Sequence, residues 1–331
     1  MRESLKYISS SEARDAINEY VSSHTAFLFF ASYDASRAYV TKLSDVDPEV
    51  LRYNFGGITN DSPAGRAISS QIRWNPCPQD FKQYDRSFRI VKENLMRGNS
   101  YLVNLTCATP VDTNLTLPDV YALADAKYKL MVENCFVFFS PETFVRIEDG
   151  KRISSYPMKG TIDATIPDAE KRLMDDVKEA AEHATITDLI RNDLSRIANH
   201  VRVTRYRYVD RLETCNGPIL QTSTEIEGCL PEGAQNKMGD LLFSMMPAGS
   251  ITGAPKKKTM QIISDAETYH RGFYSGVAGI YDGRNLDSCV MIRYVEQDGR
   301  GMTYKSGGGI TAKSDARKEY EEMIQKIYIP H

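Results

Sequence analysis

No stretch of this chain stays apolar long enough to cross a bilayer. The longest run near the N-terminus, Ala26-Phe27-Leu28-Phe29-Phe30-Ala31, falls far short of the roughly 20 residues a spanning helix needs. The opening residues, Met1-Arg2-Glu3-Ser4-Leu5-Lys6, carry neither the apolar core nor the small-residue cleavage site of a secretory signal. Charge of one sign is not in excess either: 41 basic residues stand against 44 acidic ones, a net charge of −3. That balance argues against nucleic acid or a membrane surface as a bulk partner, so any anion must be held by local positive charge. The six cysteines, Cys77, Cys107, Cys135, Cys215, Cys229 and Cys289, include no Cys-x-x-Cys pair. They read as reduced, mostly buried thiols of a cytoplasmic protein, not as a disulfide frame or zinc site. Repeats, low-complexity tracts and Pro/Gly/Ser linkers are missing as well.

What is present is globular. Of 331 residues, 41% are apolar and 26% charged, enough for one large domain with ample core. Strand-like runs at 26–32 and 38–43 precede the Pro-rich Asn75-Pro76-Cys77-Pro78. The pattern predicts a helix from about Asp80 to Met96, then strands at 101–106, 135–140 and 144–147. Pro167-Asp168 opens one long helical pattern through about Ala198, with Leu173, Val177, Ala180, Ala181 and Ala184 on its apolar side. Strands are predicted again at 200–207, 220–226, 276–281, 288–295 and 301–305, and helices over 237–245 and after Pro255. Ser314 is the expected N-cap of a last helix whose apolar stripe is Tyr320, Met323, Ile324 and Ile327. Blocks of strands separated by helices, without regular βαβ alternation, point to an α+β architecture with large antiparallel sheets.

Several residues carry possible chemistry. Lys159, in Tyr156-Pro157-Met158-Lys159-Gly160-Thr161, is bracketed by turn residues and followed by a β-like pattern, which places it at a strand end or on a tight loop. By itself it reads either as a solvated lysine or as an amine nucleophile. Glu179 and Glu182 on the long helix, and Glu319 and Glu322 on the last one, are spaced i, i+3, so each pair shares one helix face. Each pair is either a solvated acidic face or, if the two helices oppose, half of a site for a hard divalent cation. Pro247 to Lys256 forms a Gly-rich loop running into a helix. Its spacing is not that of a nucleotide P-loop, but its free N–H groups suit a carboxylate or phosphate. Lys257 and Lys258 beside it read as a solvated charge run. A second cluster, Gly307-Gly308-Gly309, follows a strand and leads to the last helix. Arg293 stands in the otherwise apolar Val290-Met291-Ile292-Arg293-Tyr294 and needs an anion, from the protein or from a ligand.

Taken together, Ser140-Pro141-Glu142, Pro157 to Thr161, Glu182-His183, Asp188 to Leu194, Gly249 to Lys256, Arg271 to Gly276, Ile292-Arg293, Gly307-Gly308-Gly309 and Glu319 to Glu322 resemble, in order, the motifs of the chorismate-utilising enzymes. The likeness covers roughly residues 85–327. It implies two stacked, mainly antiparallel sheets surrounded by helices, the fold of aminodeoxychorismate synthase, built as one compact unit. Residues 1–84 would be a shortened N-terminal part and 85–331 the chorismate-binding catalytic region. It implies Mg2+ bound by Glu182 and Glu322, with Glu179 and Glu319 supporting through water. Substrate contacts are implied at Ser250, Tyr274, Arg293, Gly307, Gly309 and Lys326, and proton transfer to the departing oxygen at Glu142.

Two positions bear on the branch of the family. Leu102 stands where the isochorismate and salicylate branch has a water-activating lysine, and leucine cannot move a proton. Lys159 stands where anthranilate synthases usually carry Ala, and a lysine there resembles the branch that makes 4-amino-4-deoxychorismate. The implied reaction is amination of chorismate at C4, with neutral Lys159 attacking C2 first and ammonia expelling it from C4. A free lysine has a pKa of about 10.4, so the site must disfavour its charged form by desolvation or nearby cations. Gln221 replaces a family histidine linked to pyruvate elimination in anthranilate synthases. No Gly-x-Cys-x-Gly elbow is present, so a separate glutamine amidotransferase (glutaminase) subunit is expected to supply ammonia. The stretch before residue 85 is short for the family, which implies a reduced N-terminal layer, where some relatives bind tryptophan. Two other functions stay open: anthranilate synthase component I, with Lys159 a bystander, and a non-catalytic chorismate-binding scaffold.

Overall fold

Alternating apolar strands build two sheets in which every recorded pairing is antiparallel. The computed structural model describes residues 5–61, 71–212 and 217–330, so Cys215 lies outside the described residues. The ten-stranded sheet runs Ile8–Ser9, Arg37–Lys42, Phe27–Ala31, Val277–Tyr281, Leu286–Val290, Thr143–Glu148, Arg152–Ser155, Ile219–Cys229 and Met158–Asp163, with Asn199–Leu212 on the other edge of Ile219–Cys229. The nine-stranded sheet runs Gly253–Ala254, Leu102–Thr113, Gly301–Ile310, Tyr294–Asp298, Phe136–Ser140, Tyr128–Val132, Leu51–Phe55 and Ile58–Thr59, with Trp74–Pro76 also on Leu102–Thr113. An aromatic cluster joins the two sheets: Phe30 of one meets Phe136 of the other edge-on, 5.7 Å between ring centroids, with Phe138, Phe273 and Tyr294 packed around them.

Two neighbouring strands change sheet at the same place. Phe136–Ser140 pairs with Tyr294–Asp298 in the nine-stranded sheet, and their continuations, Thr143–Glu148 and Leu286–Val290, pair with each other in the ten-stranded one. The crossing segments, Pro141-Glu142 and Met291 to Arg293, are tied by backbone bonds from Phe139 N to Arg293 O and from Val290 N to Glu142 O, both 3.1 Å. The single strand predicted over 288–295 is therefore two, broken where Arg293 takes a φ of +53°. The apolar run continues through the break because both of its halves are buried, one in each sheet.

The long helix predicted from Asp168 to Ala198 is also two, Ala169–Asp175 and Val177–Ser195. Asp176 makes the break by capping the second, its carboxylate accepting from Glu179 N at 2.9 Å. Val177, expected on the buried side, is 82% exposed; the buried face is His183, Ile186, Thr187 and Leu194. The last helix, Ala316–Gln325, is capped by Asp315 and not Ser314, whose hydroxyl instead accepts from Thr311 N at 3.1 Å. The thiols depart from expectation as well. All five described cysteines are free, but only Cys107 and Cys289 are buried, while Cys77, Cys135 and Cys229 sit exposed at strand ends and a turn. Among the described residues no helix is long and apolar enough to cross a membrane.

One buried ion pair fixes how the helix Lys256–Ala266 meets the nine-stranded sheet. Glu267, just past its end, accepts from Thr106 N at 2.9 Å and Thr106 Oγ1 at 2.7 Å, and pairs with Arg271 at 2.6 Å; the two side chains are 2% and 3% exposed. Arg271 also donates to Ile251 O and Asn104 O, at 2.9 and 2.7 Å, so the Gly-rich loop and the strand Leu102–Thr113 hang on the same guanidinium. Removing one partner of such a pair strands a buried charge, at a cost of about 3–5 kcal/mol. Glu267→Ala is expected to lose about that much, read as a lower urea midpoint at unchanged slope. A loss below about 1 kcal/mol would show that the pair does not hold this junction.

Candidate active site

The Lys159 side chain ends among carboxylates. It leaves the strand Met158–Asp163, is 31% exposed, and places Nζ 2.8 Å from Glu182 Oε2. Burial works against its charge, but Glu182, Glu322 and Glu179 outweigh that and hold its pKa above the ordinary lysine value. Glu319 lies within electrostatic reach of the same amine, while burial raises its own carboxyl. Both glutamate pairs, one on Val177–Ser195 and one on Ala316–Gln325, therefore converge on Lys159. Burial likewise raises Glu179. Glu322 is held below the usual carboxylate range: burial opposes this, but Lys326, 2.7 Å away, and then Lys159 prevail. Among the described residues no three carboxylate, imidazole or thiol side chains stand as a ready-made metal cluster; Lys159 and Lys326 occupy two of the glutamates.

The glycine cluster does not follow a strand, as expected, but belongs to one. Gly307, Gly308 and Gly309 lie inside the strand Gly301–Ile310, paired with Thr106, Leu105 and Asn104. A Cβ on Gly308 would stand 3.5 Å from Glu319 Oε2, 3.7 Å from Lys326 Nζ and 3.9 Å from Glu322 Oε1, so the bare strand gives the acidic groups their room. Gly308, unlike its neighbours, was not singled out from sequence. Gly307 meets the cluster through its carbonyl, which accepts from Lys326 Nζ at 3.1 Å. Gly309 faces the Leu102 side chain, 3.1 Å from a Cβ built there, and that side of the cleft carries an apolar group.

The other predicted residues gather at the double sheet crossing. Ser250 donates a short hydrogen bond to Glu142 Oε1. Burial raises the Glu142 carboxyl, with Ser250 and Arg293 pulling the other way. Arg293 stacks over Tyr328 at 5.1 Å and makes no ion pair among the described residues, which leaves a cation facing Glu142 and Lys326. Tyr274 is 4% exposed and its hydroxyl is raised by burial. A cavity of about 20 Å³, room for one water, lies beside Glu142 and Ser250. Lys256 stands apart as a structural residue, bonded to Asp193 Oδ2 at 2.8 Å and Met245 O at 2.7 Å; Lys257 and Lys258 are solvated as expected. Gln221 alternates with Thr222 on the strand Ile219–Cys229, which turns it to the face away from Lys159.

Known proteins resemble the chain in sequence and in fold. The family profile described as chorismate binding enzyme matches residues 24–330. An "Uncharacterized PabA-like protein" of Haemophilus influenzae is 44% identical over 313 residues, 95% of this chain and 94% of that one. An anthranilate synthase component 1 of Haloarcula marismortui is 38% identical over 199 residues, 56% of this chain and 38% of its own length. The menaquinone-specific isochorismate synthase of Escherichia coli superposes with a TM-score of 0.74 at 16% identity, over 98% of this chain and 82% of that one, which is a likeness of fold.

Glu142 gives the site a pH signature. Its folded carboxyl holds a proton above the unfolded value of 4.5, so over that window the native state binds more protons and stability falls as pH rises. Glu142→Gln is expected to flatten that fall in urea unfolding as pH rises above 4.5; a slope equal to wild type would refute the raised carboxyl.

Proposed function

The chain belongs to the chorismate binding enzyme family, and from that premise we propose that it aminates chorismate at C4 to give 4-amino-4-deoxychorismate. On this reading it is a cytoplasmic component I of 4-aminobenzoate and folate synthesis, fed with ammonia by a separate glutaminase subunit. The observation that carries the proposal is the Lys159 amine, two-thirds buried and pointed into the cleft where both glutamate pairs meet.

The residues divide the work as follows. Arg293, Lys326, Tyr274 and Ser250, with the backbone of Gly307 and Gly309, hold the two carboxylates of chorismate. Lys159, once neutral, forms a bond to C2; the ring double bonds shift and the C4–O bond breaks. The carboxyl of Glu142 gives its proton to the departing oxygen, which leaves as water. Ammonia then forms the C4–N bond, the double bonds return, and the C2–N bond breaks to release neutral Lys159. The ammonium formed at C4 returns one proton to Glu142, so the sum is chorismate plus ammonia giving product plus water. The carboxylates that hold Lys159 protonated must be neutralised before its lone pair is free. Their oxygens are hard donors of the kind Mg2+ takes, and Glu182 and Glu322, with Glu179 and Glu319 in support, would hold the ion there. That ion would supply Lewis acidity at the ring carboxylate. Leu102, beside Gly309, offers no group to activate water.

Incubating the chain with chorismate, ammonium and Mg2+ is the test. The expected product yields 4-aminobenzoate only after a lyase is added, whereas direct appearance of fluorescent anthranilate would establish the rival activity, and binding without turnover the scaffold. Lys159→Ala is expected to slow amination at C4 or divert nitrogen to C2, and an unchanged rate and product would exclude the covalent route. Glu142→Gln is expected to lower kcat by about 10²-fold or more.

A further inference from the structure

The strand that carries Lys159 is not regular where it matters. Met158 pairs with Ser223 and Thr161 with Gln221, so Lys159 and Gly160 together oppose the single residue Thr222. That is a β-bulge, with Gly160 at φ +91°, and a bulge takes residues out of the ladder and re-aims their side chains. A Cβ on Gly160 would stand 3.1 Å from Glu179 Oε2 and 3.3 Å from Thr222 Oγ1, so a side chain here is tight against its neighbours and strained at this backbone angle.

The carbonyl of Lys159 is nonetheless satisfied, by side chains. Thr222 Oγ1 donates to it in a short bond, and His183 Nδ1 stands 3.3 Å away. A carbonyl only accepts, so Nδ1 carries the hydrogen and Nε2 is the acceptor. Nε2 has its donor in the Thr224 hydroxyl at 2.6 Å, and Thr224 Oγ1 in turn accepts from Arg207 N at 3.0 Å. His183 is 0% exposed, and Thr222 and Thr224 are 1% and 0% exposed. The relay has a fixed direction with every member satisfied, which is the condition for a buried polar network to impose one geometry. It also spans the site: His183 follows Glu182 on the helix, while Lys159 is on the strand, so one imidazole sets the helix's height over the bulge.

We propose that Thr222, His183 and Thr224 are positioning residues, which replace the missing ladder bond at the Lys159 carbonyl and so aim its amine at the reacting ring. This rests on the reading of Lys159 as the nucleophile. Their side chains are buried at 0–1% exposure, so they would act on the rate through Lys159 and not on binding.

The test is Thr222→Val, nearly the same shape without the hydroxyl, assayed in the whole chain with chorismate, ammonium and Mg2+. Misaiming a reacting group by about 1 Å costs as much as 10²-fold. The expected result is a kcat lower by about 10- to 100-fold, a chorismate KM changed by less than about twofold, and recovery in Thr222→Ser. In a double-mutant cycle, Thr222→Val added to Lys159→Ala is expected to cost nothing further. Circular dichroism and the thermal midpoint check that the variant folds, and Thr222→Ala takes its place if it does not. An unchanged kcat, a loss confined to KM, or losses that multiply with Lys159→Ala would each overturn the proposal. Failure of the underlying reading shows separately, as full activity of Lys159→Ala alone, and the positioning role then falls with it.

Discussion

Four carboxylates brought into one cleft repel one another unless cations stand among them, and in this chain Lys159 does so 2.8 Å from Glu182, with Lys178 at 3.6 Å on the same carboxylate. The rest of the site answers to this constraint. The break at Asp176 starts a helix whose first turn brings Glu179 over Gly160, and the bare strand at Gly308 lets Glu319 and Glu322 descend to the same level. Lys326 takes part of the load at Glu322. Like charges that would cost a few tenths of a kcal/mol on a solvated helix become a strong binding potential once half-buried and opposed.

The same electrostatics sets the lysine's chemistry. Desolvation alone would push an amine toward neutrality, and the sequence reading expected that outcome. The carboxylates reverse the sign. An amine held this way is a counter-ion first and becomes a nucleophile only when another charge satisfies the glutamates. The arrangement ties reactivity at Lys159 to the occupancy of the acidic site.

The parts of the structure that depend on short-range pattern were legible in the sequence. The i, i+3 spacing placed each glutamate pair on one helix face, and strand alternation with interspersed helices indicated antiparallel sheets. What was hidden depends on partners far along the chain. Arg293 looked like a charge inside one strand because Val290 and Tyr294 on either side are both apolar, although they belong to different sheets. Gly307 to Gly309 looked like the end of a strand because glycine usually weakens one, whereas here the absent side chains make room within it. Ser314 and Asp315 are both good caps, and local pattern cannot choose between them. The bulge at Lys159 was half visible, in Gly160, but its count against Thr222 requires knowing which strand lies alongside.

Glu142 and Arg293 are not placed by either sheet alone. Each lies on a segment that leaves one sheet for the other, and the two segments cross side by side. The spacing between that carboxyl and that guanidinium therefore follows the dihedral angle between the sheets, much as two marks on opposite leaves of a hinge report how far it is open. The aromatic wedge of Phe30, Phe136 and Phe273 packs between the same two sheets. Repacking of the wedge would thus be transmitted to the mouth of the cleft without altering a single residue that lines it.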